Sequence, residues 1–305
     1  MYSLPVELLD SIAQYLSCSS LASLAQTCSA LCPVAHRVLY RSVSASAWSQ
    51  NLCVIDTLAK KPHVARFVRS FYIAIDSLAP VFLAYYRQLA KAILNMSELT
   101  SLTLLVDSSV SWVLKEAFLD RTPSLLELEV DSIPTVFMRN SPLPYLAPTS
   151  IPQLQQFIGS SRAAELIVPG RPVSSIHLNG EGLMEDDIPL LARSTVPVII
   201  LGAVTNAPPV PFLETLHRHV PHLVYLRLMS TKDIFIAPTA EFYEQVASVL
   251  TSFTELNAFE FSGMHWDSQV KQNDGAKRVW QSAPLQIRNH PEDDLLFGSE
   301  IFLAY

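Results

Sequence analysis

Leu223-Val224-Tyr225-Leu226-Arg227-Leu228 sets an aliphatic residue, two others, an aliphatic residue, one other and a third aliphatic residue in a six-residue frame. The last two aliphatics stand at the two-residue period of a strand with one buried side, and the first closes the turn leading into it. The frame recurs along the chain at Val68/Phe71/Ile73, Leu99/Leu102/Leu104, Leu125/Leu128/Val130, Leu154/Phe157 with Gly159 in the last place, Val173/Ile176/Leu178, Val196/Ile199/Leu201 and Leu256/Phe259/Phe261. Amphipathic stretches separate the copies. Residues Val81 to Leu94 carry Phe82, Tyr85, Leu89 and Ile93, residues Val110 to Leu119 carry Val113, Leu114 and Phe118, and Phe242 to Leu250 carry Tyr243, Val246 and Leu250 at helical spacing. Pro208, Pro209 and Pro211 form a helix entry before Phe212 to Val220. A strand, then a helix laid over it, then the next strand is a unit that buries its apolar side only by stacking on its neighbours.

Successive frames start about 19 to 33 residues apart, which spans the period of leucine-rich repeats. The expected fold class is therefore α/β: a short helical N-terminal segment followed by an irregular leucine-rich-repeat-like solenoid. The usual turn-stabilising Asn or Cys is missing, since Asp107, Ile133, Glu181 and Thr231 stand at its places, and the proline-rich stretch Asn140 to Pro152 reads as a loop interrupting the array. The expected division is 1–45 for the helical segment, 46–66 for a helical linker, 67–264 for the repeats and 265–305 for a cap or tail. Trp280, Leu295, Leu296 and Phe297 would cover the open end of the array. The residue between the last two aliphatics of each frame points away from the core, which nominates Tyr72, Thr103, Glu129, Ile158, His177, Ile200, Arg227 and Glu260 as one shared surface. Its mixture of aromatic, aliphatic and oppositely charged groups suits a protein partner better than a phosphate or a metal.

Half of the 305 residues are apolar, 16% are charged and the formal net charge is −7. That is too apolar for disorder, and the acidic balance disfavours nucleic acid as a partner. Eight glycines against 21 prolines leave little of the positive-φ backbone that phosphate-cradling loops need. Cys18, Cys28, Cys32 and Cys53 all fall early in the chain and read as reduced thiols, and Glu7 and Asp10 occupy places where a secretory signal would be basic and then apolar. A cytoplasmic or nuclear setting is expected. The charge-free runs Ser11 to Ala35 and Thr195 to Leu213 are too polar and too proline-rich, respectively, to span a bilayer.

No phosphate loop, HExxH, paired CxxC or GxSxG elbow is present, so the expectation is no enzyme, with no catalytic residues, cofactor or metal. Cys28, Cys32 and His36 fall four residues apart, but the stripe has no fourth ligand, and core packing is its expected role. Glu185-Asp186-Asp187 and Glu292-Asp293-Asp294 read as solvated faces, and His265, Asp267 and Ser268 are hydrolase side chains in sequence proximity only.

The N-terminus carries the strongest functional signal. In LPVELLDSIAQYL, residues 4–16, Pro5 opens a helix, Glu7 lies near its positive end, and Leu8, Leu9, Ile12, Tyr15 and Leu16 recur at helical spacing. Leu21, Leu24, Ala25, Cys28 and Leu31 repeat that period, and Pro33 opens a third segment with Val34, Val38 and Leu39. Three short helices, apolar on more than one face, need a partner.

These residues, from Leu4 to about Tyr40, resemble an F-box motif, most like those of fungal members that carry leucine-rich repeats. The resemblance implies docking on the Skp adaptor of an SCF ubiquitin ligase, and through it on a cullin scaffold and RING subunit. It assigns adaptor contact to Leu4, Pro5, Leu8, Ile12, Leu16, Leu21 and Leu24, with Glu7 as the polar helix-start residue, and leaves the repeats to hold an unidentified protein substrate. The third helix departs from the family, with Ala35-His36-Arg37 where a tryptophan is frequent. The alternative is a leucine-rich-repeat scaffold not engaged in ubiquitination.

Overall fold

The structure is a computed structural model and describes residues 4–46, 49, 51–75, 83–106, 122–130, 150–180, 182–231, 239–270 and 278–284. Three helices come first: α1 (Val6–Ala13), α2 (Cys18–Thr27) and α3 (Cys32–Leu39). Ser17 caps α2 by accepting the Ser20 amide on its hydroxyl, and Pro33 sits in the first turn of α3. Pro5 is the residue before α1 and not its first member, with Glu7 in the first turn.

An eleven-stranded sheet follows, its strands lying in chain order. β1 (Ser42–Ser46), β2 (Ser70–Ala74), β3 (Ser101–Leu105), β4 (Glu127–Val130), β5 (Gln156–Gly159), β6 (Ser175–Leu178), β7 (Ile200–Thr205), β8 (Tyr225–Ser230) and β9 (Ala258–Phe261) are parallel neighbours. β10 (Met264–Val270) and β11 (Arg278–Pro284) then turn antiparallel. The fold is thus mixed α/β, a helical N-terminal region followed by a mostly parallel sheet.

One hydrogen-bond device sets the sheet's spacing. Two successive amides at the start of each strand from β2 to β9 share a single carbonyl from the strand before. Arg69 and Ser70 donate to Arg41 O, Thr100 and Ser101 to Arg69 O, Leu126 and Glu127 to Thr100 O, and Gln155 and Gln156 to Leu126 O. Ser174 and Ser175 continue to Gln155 O, Ile199 and Ile200 to Ser174 O, Val224 and Tyr225 to Ile199 O, and Asn257 and Ala258 to Val224 O. The two residues after the first aliphatic of each frame make these bonds, which is why frames keep their internal spacing while the segments between them vary.

Behind the sheet lie α4 (Val54–Lys60), α5 (Pro62–Ala65), α6 (Leu83–Asn95), α7 (Ser161–Ile167), α8 (Ile188–Leu191), α9 (Pro209–His219) and α10 (Ala240–Leu250). The frame aliphatics other than Val196 and Ile199, Leu89 and Ile93 of α6, Phe212 and Leu216 of α9, and Val246 and Leu250 of α10 form one continuous core. Gly159 fits its slot because the Phe157 ring already fills it. A Cβ there would stand 2.7 Å from Val130 O and 2.8 Å from Phe157 Cζ.

One expectation is corrected and one frame is added. The frame written Val196/Ile199/Leu201 is shifted: Val198, Leu201 and Ala203 are buried, whereas Val196 and Ile199 are exposed. The Ile199 carbonyl takes the two amides of the next strand, which fixes Val198 as the first aliphatic. A further frame, Tyr40/Val43/Ala45, forms β1, the first strand of the sheet. No ladder of one residue type satisfies the turns among the described residues. Hydroxyls do so singly: buried Thr205 donates to Leu183 O and accepts the Ala207 amide, and Ser262 accepts the Ser230 amide. At the far end Trp266 packs on Phe259 and Tyr243, and Trp280 is buried beside them in the main core. The expected helix at 110–119, most of the loop at 140–152, Phe82, Asp107, Ile133, Glu181 and the residues Leu295, Leu296 and Phe297 lie outside the described residues. No described helix is long and apolar enough to cross a membrane.

Candidate functional site

The three N-terminal helices share a core of their own. Ala13, Leu21 and Val34 are its buried members, with Leu9, Val38 and Leu39 packed partly against them, and an Arg37–Asp10 ion pair of 2.9 Å ties α3 to α1. So small a core leaves most of α1's apolar surface in water. Leu4, Val6, Leu8 and Ile12 are about half exposed, at 55%, 44%, 51% and 55%, and Tyr15 is 92% exposed. Leu16 and Pro5 are exposed as well. Leaving such a run of large apolar groups solvated in one short segment is unfavourable by roughly 1.5 to 3 kcal/mol for each side chain that a partner would fully bury.

Of the residues the sequence nominated for adaptor contact, Leu4, Pro5, Glu7, Leu8, Ile12 and Leu16 are accessible, and Leu24 is half-buried on α2. Leu21 is a correction. At 3% exposure it is a core residue, because α2 turns it toward Ala13 and Val34, so its side chain holds the helices together and offers a partner no surface. Val6 and Tyr15 extend the exposed seam and were not nominated, although both sit in the helical run. The Cys28/Cys32/His36 stripe is also corrected. Cys28 ends α2 in an extended conformation and is exposed, so it is not in a core and shares no helix with the other two. Cys32 Sγ lies 3.7 Å from His36 Nε2, and burial lowers the His36 pKa. Among the described residues no group of three or more His, Cys, Asp or Glu side chains is placed to hold a metal ion.

The front of the sheet brings the second set together. Strand register aligns Ser44, Tyr72, Thr103, Glu129, Ile158 and His177 in one row across β1 to β6. The row continues through Gly202, Arg227 and Glu260 to His265. Ile200 is therefore not in it: the frame shift puts Gly202 opposite His177, and Ile200 lies opposite Ser175 and Tyr225. Thr103 Oγ1 donates to Glu129 Oε2 at 3.0 Å. Farther along, Arg227 Nε meets Glu260 Oε2 at 3.3 Å, His265 Nδ1 lies 3.7 Å from Glu260 Oε1, and His265 Nε2 is 2.7 Å from Asp267 Oδ1. Burial, then the hydrogen bond to Glu260, push the Tyr225 hydroxyl pKa above its usual range, so this phenol stays protonated. Ser268 lies one residue from Asp267 in a strand and so points to the opposite face, away from the His265–Asp267 pair. These residues do not build a nucleophilic triad.

His177 makes stability depend on pH. Burial, and secondarily the charge of Arg227, lower its pKa below the ordinary 6.5. The folded chain then holds a neutral imidazole where the unfolded chain binds a proton, so this contribution to stability is present above pH 6.5 and declines as pH falls from 6.5 toward the folded-state pKa. In urea melts between pH 7.5 and 5, His177→Gln is expected to flatten the fall in midpoint. A variant curve parallel to the wild type contradicts this.

On the back, a hollow between α9 and α10 is lined by Glu214, His217, Arg218, Ser248, Val249 and Ser252, shallow and largely polar.

Comparison with the curated proteins gives no match. Comparison with protein families does: residues 1–46 match the family described as F-box-like, so the three helices with the exposed seam, together with the strand that opens the sheet, are an F-box-like domain.

Proposed function

We propose that this chain is the non-catalytic substrate-recognition subunit of an SCF-type ubiquitin ligase, with its sheet and covering helices forming a leucine-rich-repeat-like solenoid. The F-box-like helices dock on the Skp adaptor, and the front of the sheet holds a target protein near the enzyme carried on the cullin arm. The contribution is proximity, a raised effective concentration of the target's lysines at the ligase. The observation that carries this reading is the solvated seam of Leu4, Val6, Leu8, Ile12 and Tyr15 inside the residues that match the F-box-like family. The row of Tyr72, Thr103, Glu129, Ile158, His177, Arg227 and Glu260 supports a protein ligand, since it mixes apolar, aromatic and both kinds of charged group on one face. Capture of the full chain by immobilised Skp adaptor tests the reading. Stoichiometric retention is expected, and a chain that passes through unretained contradicts it.

A further inference from the structure

β1 opens the sheet and has a strand neighbour, β2, on one side only. Its other edge would ordinarily present a row of unpaired main-chain groups to solvent, which is a template for pairing with another chain. Proteins blunt such edges with charged side chains, proline, bulges or a covering element. The strand Ser42-Val43-Ser44-Ala45-Ser46 holds no charge and no proline, and its Val43 and Ala45 side chains are committed to the core. Among the described residues, the Asn51 side chain stands at this edge. Asn51 Nδ2 donates to Ser44 O at 2.8 Å, and Asn51 Oδ1 accepts the Ser46 amide at 3.0 Å. Those are the two bonds that a peptide unit of an adjoining strand would make. Ser46 Oγ accepts the Ser49 amide at 3.1 Å.

We infer that Asn51 is the plug that keeps the sheet's first edge closed, and that without it the edge pairs with the same strand of a second copy of this chain. Self-pairing is the favoured occupant for two reasons. A two-fold contact lays β1 antiparallel on its own copy, so each copy satisfies the other's exposed groups with the same patch. The strand is uncharged, so nothing along it repels its copy. Both side-chain bonds of the plug go to the main chain of β1 and neither to the N-terminal helices or the other strands, so those keep their shape when it is removed.

The test uses the full chain and two variants, read by light scattering after size exclusion over a range of concentrations. Wild type is expected at the monomer mass, and Asn51→Ala at twice that mass as concentration rises. Ser44 turns its amide to the same open side as its carbonyl, so Ser44→Pro removes a pairing donor without touching the ladder to β2. The double variant Asn51→Ala, Ser44→Pro is therefore expected to return to the monomer mass. An Asn51→Ala chain that stays monomeric throughout overturns the inference. So does association that Ser44→Pro leaves intact, since that points to misfolding and not to edge pairing.

Discussion

Replacing Leu8 and Ile12 together by aspartate is expected to abolish capture on the Skp adaptor while leaving the fold in place. Both side chains are half exposed and neither belongs to the three-helix core, so surface substitution there changes stability by no more than about 0.5 kcal/mol per site. In a docked complex each would be desolvated near the centre of the seam, where truncation of a central apolar anchor typically removes about 2 kcal/mol or more, and a buried carboxylate adds its own desolvation penalty. The pair should weaken the adaptor by roughly a thousandfold or more, enough to lose it in a pull-down. Leu21→Asp gives the contrast. It too would lose adaptor binding, but by unfolding the small core around Ala13 and Val34, and its loss of helical signal distinguishes it from the surface pair. A double variant that is folded and still binds with wild-type affinity rules out the seam as the docking surface.

Arg171→Ala is expected to be the most damaging single change in the sheet region. Arg171 is fully buried, and its guanidinium donates to Ser150 O at 2.7 Å, Ile167 O at 2.7 Å and Pro169 O at 3.2 Å. Ile167 ends α7, so the side chain satisfies a carbonyl that the helix cannot satisfy itself and ties that helix end to the segment before β5. Main-chain acceptors cannot be mutated away with their donor. Removing the guanidinium strands several of them, at about 1 to 3 kcal/mol each, and leaves a cavity besides. A total of about 3 to 5 kcal/mol should lower the urea midpoint by roughly 1 to 2 M. Arg171→Met refills most of the space without the donors and should recover only the packing part. If Met restores the wild-type midpoint, the hydrogen bonds are not what the residue supplies.

Nothing about Arg171 could be read in the sequence, because a lone arginine after a Pro-Gly pair has the signature of a surface turn, and only the convergence of Ser150, Ile167 and Pro169 reveals it as a core residue. The frames were legible for the opposite reason. Their internal spacing is fixed by a main-chain device that repeats from β1 to β9, and aliphatics must follow it. Side-chain size hides the frame in two places. The run Val196-Pro197-Val198-Ile199-Ile200-Leu201 is apolar in more than one phase, and the correct phase ends on a small Ala203, so the larger side chains drew the frame away from it. β1 is hidden likewise, with Tyr40, Val43 and Ala45 as a weak aliphatic set between serines. In the N-terminal helices, periodicity identified which residues are apolar but not which face the neighbouring helices take. Leu21 and Leu8 look alike in sequence and part company only when α2 and α3 pack.

Hydrogen exchange on the full chain, with and without purified Skp adaptor, tests the central claim most directly. Slowed exchange confined to α1 and the start of α2, with the amides of β2 to β9 unchanged, is the expected result. Protection that appears on the sheet while α1 exchanges as fast as in the free chain would contradict it.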